Sequence, residues 1–136
     1  MSLNSENGTR ATLGSKIALI CDTPAVSRMF EAEIAALGGG ARPMRYEPAT
    51  LEALRADPPD MVVAVVMGRN PAMQCLCQNI GQSDTFARTR LMVVQDSNRA
   101  IDQRRAEALG ADVQLKLPLD AAAFRKAAME VLAEYA

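Results

Sequence analysis

The sequence predicts a single α/β domain: one parallel five-stranded sheet with helices on both faces. Three observations carry this. Five short apolar runs alternate with five segments of helical periodicity along the 136 residues. The middle run, Met61-Val-Val-Ala-Val-Val-Met67, is apolar throughout, as suits a parallel strand covered on both faces. The connections are short and built from Gly, Pro, Asn and Asp, which fits strict β–α alternation.

The first strand is Lys16 to Cys21. Thr23 then offers an N-cap and Pro24 a first helical residue. Val26, Met29, Phe30, Ile34 and Leu37 recur at helical spacing, and Gly38-Gly39-Gly40 ends that helix. A weaker strand covers Ala41 to Tyr46. A short helix from Ala49 to Ala56 carries Leu51 and Leu54 and stops at Pro58-Pro59-Asp60. The central strand follows, then a loop from Gly68 to Asn70.

Asn70-Pro71 starts the third helix, with Met73, Leu76, Cys77 and Ile80 on one side. Gly81 to Arg88 read as loop. Strand four is Leu91 to Val94. Ser97 or Asn98 caps a fourth helix that runs to Leu109 and stops at Gly110. Strand five is Asp112 to Leu117. Asp120 caps the last helix, whose stripe is Phe124, Ala127, Ala128, Val131 and Leu132. Right-handed crossovers then favour the order 2-1-3-4-5, a flavodoxin-like three-layer α/β/α sandwich. Residues 1–15 are polar and read as a leader or linker, and 16–136 as the domain.

Composition narrows the function. A hydrophobic content of 49% and a charged content of 23% are ordinary for a globular domain. The net charge of -1 gives no electrostatic reason to expect nucleic acid or a membrane surface as partner. No apolar run approaches membrane-spanning length, and the N-terminus has no signal core. A cytoplasmic location is therefore expected. With no histidine, serine–histidine catalysis and histidine-ligated metals are excluded. Cys21, Cys75 and Cys77 fit no disulfide framework. Cys75 and Cys77, two apart on a helix, point to different sides and make a poor metal pair. Three reduced, mostly buried thiols are expected, with no metal, cofactor or catalytic residue.

Sites in such sheets form at the C-terminal ends of the strands. There, the sequence resembles the receiver domain of two-component response regulators over Lys16 to Tyr135. The resemblance lies in Leu19-Ile-Cys-Asp-Thr-Pro24, in Pro59-Asp60-Met-Val-Val before the phosphoacceptor, and in Gly110-Ala111-Asp112 with Leu117-Pro118. It implies a bacterial phosphorelay module, but one altered at the phosphorylation site. The acidic Mg²⁺ pair falls on Cys21 and Asp22, the phosphoacceptor aspartate on Val65, and the conserved lysine on Leu117. The Ser/Thr and aromatic switch pair falls on Gln95 and Gln114. Valine offers neither nucleophile nor metal ligand. Lys116, one residue early, would point the other way. Asp22 is read as a helix cap, and Asp96 as a loop acid able at most to hold a cation weakly with Asp22. The two glutamines are expected to bond each other or the backbone.

The resemblance thus implies a pseudo-receiver: a non-enzymatic interaction or dimerisation module in a two-component system. A partner or second copy would dock on the face of helix four, strand five and helix five. Candidate residues there are Arg99, Gln103, Arg104 and Glu107 with Arg125, Lys126, Glu130 and Glu134. Inert copies of this kind occur as the second receiver of diguanylate-cyclase-type regulators, so fusion to an output domain is one expectation and a stand-alone adaptor another. Two alternatives stay open. One is a flavin- or nucleotide-binding flavodoxin-like domain, for which Met67-Gly68-Arg69-Asn70 could hold an anion through Arg69. The loop after strand one has no glycine for it, and aromatic residues are few. The other is phosphorylation at a non-standard acid, Asp22 or Asp96.

Overall fold

Strands and helices alternate along the chain: β1 (Lys16–Ile20), α1 (Pro24–Ala36), β2 (Gly40–Met44), α2 (Pro48–Ala56) and β3 (Met61–Val66). Then come α3 (Pro71–Gln82), a 3₁₀ turn (Asp84–Phe86), β4 (Arg90–Gln95), α4 (Ala100–Ala108), β5 (Val113–Lys116) and α5 (Ala121–Ala133). The computed structural model describes residues 15–68, 70–96 and 99–133. The five strands are all parallel, in the order β2-β1-β3-β4-β5. This is the flavodoxin-like arrangement, as the sequence predicts.

The period-2 alternation of the strands divides the core. Ile17, Leu19, Met61, Val63, Val65, Met92 and Val94 face α1 and α5. Ala18, Ile20, Val62, Ala64, Val66, Leu91 and Val93 face α2, α3 and α4. Every residue of β3 is buried. On the first face, Phe30 of α1 meets Phe124 of α5 edge-to-face, with ring centroids 5.4 Å apart. Each fully buried ring of this kind contributes ~3 kcal/mol of apolar burial. On the second face, α3 buries Met73, Leu76, Cys77 and Ile80, while α4 buries Ala106 alone.

The expected caps divide. Asn70 Oδ1 accepts the Met73 N–H at 3.0 Å, and Asp120 Oδ1 the Ala123 N–H at 3.1 Å, as expected of N-caps. Thr23 occupies the N-cap position of α1 without a side-chain capping bond. Its hydroxyl donates instead to Met67 Sδ at 3.3 Å. Arg99 holds the N-cap position of α4, and the expected caps Ser97 and Asn98 lie outside the described residues. So do Arg69, Glu134, Tyr135 and the leader up to residue 14. Ser15, read as leader, already belongs to the sheet, since its carbonyl accepts the Gly40 N–H at 2.9 Å.

Three packing expectations are corrected. Met29 sits at helical spacing in α1 yet is 49% exposed, because Phe30 and Ile34 cover the sheet there. Met67 falls just past β3 and is exposed. The third helix runs through Gly81 to Gln82, where a loop was expected. The reason is a close backbone approach: a Cβ at Gly81 would collide with the Leu109 carbonyl.

Candidate functional site

The C-terminal ends of β1, β3, β4 and β5 carry the positions singled out from the sequence. β1 lies beside β3, with Ile20 opposite Ala64, so Cys21 and Val65 follow side by side. Both are buried in the core cluster under α1 and α5, Val65 at 3% exposure. Burial pushes the Cys21 thiol above its ordinary value, and the Asp22 charge adds to this. Its Sγ donates to the Thr23 carbonyl at 3.4 Å. Leu117 packs against the same core cluster, whereas Lys116 is exposed, as strand alternation requires.

Asp22 does not cap α1. Its Oδ1 accepts the Tyr46 N–H at 3.0 Å and so holds the turn between β2 and α2. Asp96 is tied on the other side of the site. Both of its oxygens accept the Gly68 N–H, at 3.0 and 3.1 Å. Gly68 has a φ of +63°, a left-handed conformation that a side chain would strain. The two carboxylates proposed as a weak cation pair are thus committed to backbone donors in different loops. Among the described residues, no group of three Cys, Asp or Glu could hold a metal ion. The Gly68 amide is taken by Asp96, and Arg69, through which an anion was expected to be held, lies outside the described residues.

Gln95 and Gln114 do meet. The Gln95 amide lies 3.5 Å from Gln114 Oε1 and donates to the Asp102 carbonyl at 3.4 Å. Gln114 Nε2 donates to the Gln103 carbonyl at 3.1 Å. The pair therefore tethers α4 to the sheet through backbone oxygens. This polar tether stands where apolar packing is thin, since α4 contributes one buried alanine.

The candidate docking face divides as well. Arg99, Arg104 and Glu107 of α4 are exposed, as are Lys126 and Glu130 of α5. Gln103 is half-buried and lends its carbonyl to the tether. Arg125 turns the other way: its Nε pairs with Glu33 of α1 at 3.4 Å and donates to the Ala121 carbonyl. It belongs to the α1–α5 seam. Cys75 is exposed and Cys77 buried on α3, which bears out their placement on different sides, though only two of the three thiols are buried. Burial raises the Cys77 thiol to about 12.

Sequence reasoning missed the Asp96–Gly68 clasp and the carbonyl tethers. Both depend on contacts between loops and elements far apart in the chain. The only signal was a glycine placed two residues past the central strand.

No protein-family model matches the chain, and no curated protein matches it in sequence. Solved structures do match in shape. A putative response regulator from Chloroflexus aurantiacus J-10-fl superposes with a TM-score of 0.81 at 16% identity, covering 88% of this chain and 98% of that one. The chemotaxis protein CheY4 of Vibrio cholerae gives 0.77 at 13% identity, covering 87% and 98%. The signal receiver domain of a signal transduction histidine kinase from Syntrophus aciditrophicus gives 0.77 at 17%, covering 90% and 92%. Among the described residues, no helix is long and apolar enough to cross a membrane. At these identities the likeness is one of architecture, and the chain has the flavodoxin-like fold found in the receiver domains of two-component signalling proteins.

Proposed function

We propose that the chain is a receiver-type signalling module that works by protein contact and does not accept phosphate. The observation that carries this reading is Val65. It is the penultimate residue of the central strand, buried and apolar, in the same core cluster as Cys21 and with Leu117 packed against that cluster. A nucleophilic carboxylate and an oxygen-lined Mg²⁺ site would be needed there for phosphoryl transfer. The residues present supply neither. Asp22 and Asp96, the remaining acids, are engaged by backbone N–H groups, which disfavours phosphorylation at a non-standard carboxylate.

The docking surface is the α4–β5–α5 face, with Arg99, Arg104 and Glu107 on α4 and Lys126 and Glu130 on α5. Mixed charges on two neighbouring helices suit an isologous pair of copies or a complementary protein. An inert module of this kind fits a second receiver beside an active one, including in diguanylate-cyclase-type regulators, and equally an adaptor of its own. The test is sedimentation equilibrium over a wide concentration range. A reversible dimer that Arg104→Glu with Lys126→Glu weakens supports the homodimer. A monomer at every concentration removes the homodimer and leaves a heterologous partner on this face.

A further inference from the structure

Helix α1 carries a second apolar stripe on its outer side. At about 100° per residue, Ser27, Phe30 and Ile34 point toward the sheet, and all three are buried. Ala25, Met29, Ala32 and Ala36 lie nearly opposite them, and all four are exposed, Met29 at 49%. Helices α2, α4 and α5 put charges on their outer faces: Glu52 and Arg55, Arg104 and Glu107, Lys126 and Glu130. The α1 stripe bears none. Its spacing, four then three then four residues, is the a/d spacing of a two-helix contact. The three alanines let a second helix approach to the short end of the ~8–10 Å interaxial range. Met29 adds one flexible apolar side chain, of the kind that moulds to an incoming surface.

The flanks of the stripe identify the second helix. Arg28 borders it on one side and Glu33 on the other. Glu33 stands five positions after Arg28, which is the g-to-e step of a parallel helix pair. Two copies of α1 packed in parallel across a two-fold axis therefore set Arg28 of each beside Glu33 of the other. An antiparallel pair would set Arg28 beside Ala35 and Glu33 beside Val26, with no opposite charge to meet. Glu33 already pairs with Arg125 through Oε1 at 3.4 Å. A carboxylate can serve two cations from its two oxygens, as Asp57 does here for Lys16 and Arg42. Such exposed pairs contribute little affinity, and their effect is to select the orientation.

We propose that α1 is a self-association surface: a second copy of this chain packs its own α1 in parallel against Ala25, Met29, Ala32 and Ala36. The stripe spans about 17 Å of helix. A contact of that length is smaller than the ~1,200 Å² of a stable complex, so the association is weak and reversible. The surface is separate from the α4–β5–α5 face and does not rest on the interaction reading above.

The test is disulfide trapping of the full chain with Cys75, the exposed thiol, replaced by serine. Ala25→Cys and Ala32→Cys each form a linked dimer on their own under mild oxidation, because a two-fold axis along the helices brings each position against itself. Ala53→Cys, exposed on α2, sets the rate of chance collision, and the two α1 cysteines link at least about tenfold faster. Arg28→Glu added to Ala32→Cys slows trapping about tenfold, since it sets a like charge against Glu33. Met29→Asp, at an exposed position that leaves the circular dichroism unchanged, reduces trapping to the Ala53→Cys rate. Trapping at these positions reports α1 alone, so its outcome stands apart from charge reversals on α4 and α5. The proposal is overturned if neither α1 cysteine links faster than Ala53→Cys, or if Met29→Asp leaves the rate undiminished. Linking confined to a mixture of Ala25→Cys with Ala36→Cys, as an antiparallel pair requires, overturns it equally.

Discussion

The Asp96 carboxylate grips the Gly68 amide with both oxygens, at 3.0 and 3.1 Å, and so ties the end of β4 to the loop after β3. A carboxylate on a backbone N–H is worth more than a neutral bond, and this one joins the segments that follow two paired strands. Asp96→Ala should therefore raise amide hydrogen exchange at Gly68 by about tenfold, while exchange in β1 and β3 stays unchanged. Equal exchange at Gly68 in the two proteins would mean that the loop is held by something else.

Val65→Asp tests the buried end of β3. The new carboxylate enters a core cluster without a partner, so the variant should lose about 2 kcal/mol or more in urea unfolding. It should also fail to take up phosphate from acetyl phosphate and Mg²⁺, because Cys21 and Leu117 still supply no ligand or counter-charge. Rescue of phosphorylation by this single change would place the site wrongly.

The aromatic pair anchors the other layer. Phe124 is fully buried against Phe30. Phe124→Ala removes that ring and leaves a cavity that α1 and the sheet cannot close, at a cost of about 3–5 kcal/mol in urea unfolding. A loss under about 1 kcal/mol would show that the α1–α5 seam can repack.

Much of this was legible in the chain itself, and the reasons differ by element. The continuous apolar run of β3 and the stripe of α5 are burial signals that neighbours cannot disguise, so both were read correctly. The order of the sheet followed from alternation and handedness. Thr23, Asp22 and Arg125 depart from their expected roles for one shared reason. Each has a sound local role by spacing or residue type, and each is claimed by a partner distant in sequence: Met67 for Thr23, Tyr46 for Asp22, Glu33 for Arg125. Met29 yields its place to Phe30. A glycine near a helix end signals a stop, so the sequence predicts that the third helix ends before Gly81. Here it signals contact with α4.

Gly81→Ala tests that contact. Alanine is the better helix former by about 1 kcal/mol. The added methyl nevertheless meets the Leu109 carbonyl, so the variant should be destabilised by about 1–3 kcal/mol. A stabilised variant in urea unfolding would show that α3 and α4 do not meet as closely as described.

The two thiols of α3 should separate in alkylation. Cys75 is exposed and should react with iodoacetamide near pH 8, while folded Cys77, buried and raised to about 12, stays unmodified. The sign for stability follows. The folded value lies above the unfolded 9.0, so the Cys77 contribution is complete below about pH 9 and declines as pH rises toward 12. Cys77→Ala should flatten that alkaline decline in urea midpoints. An unchanged slope would assign it to other groups.

The central claim is that this fold has kept a receiver's shape without its phosphoryl chemistry. Intact-mass spectrometry of the chain after incubation with acetyl phosphate and Mg²⁺ addresses it most directly. The account predicts an unchanged mass. A gain of one phosphoryl group, lost again on hydroxylamine treatment as an acyl phosphate would be, would contradict it.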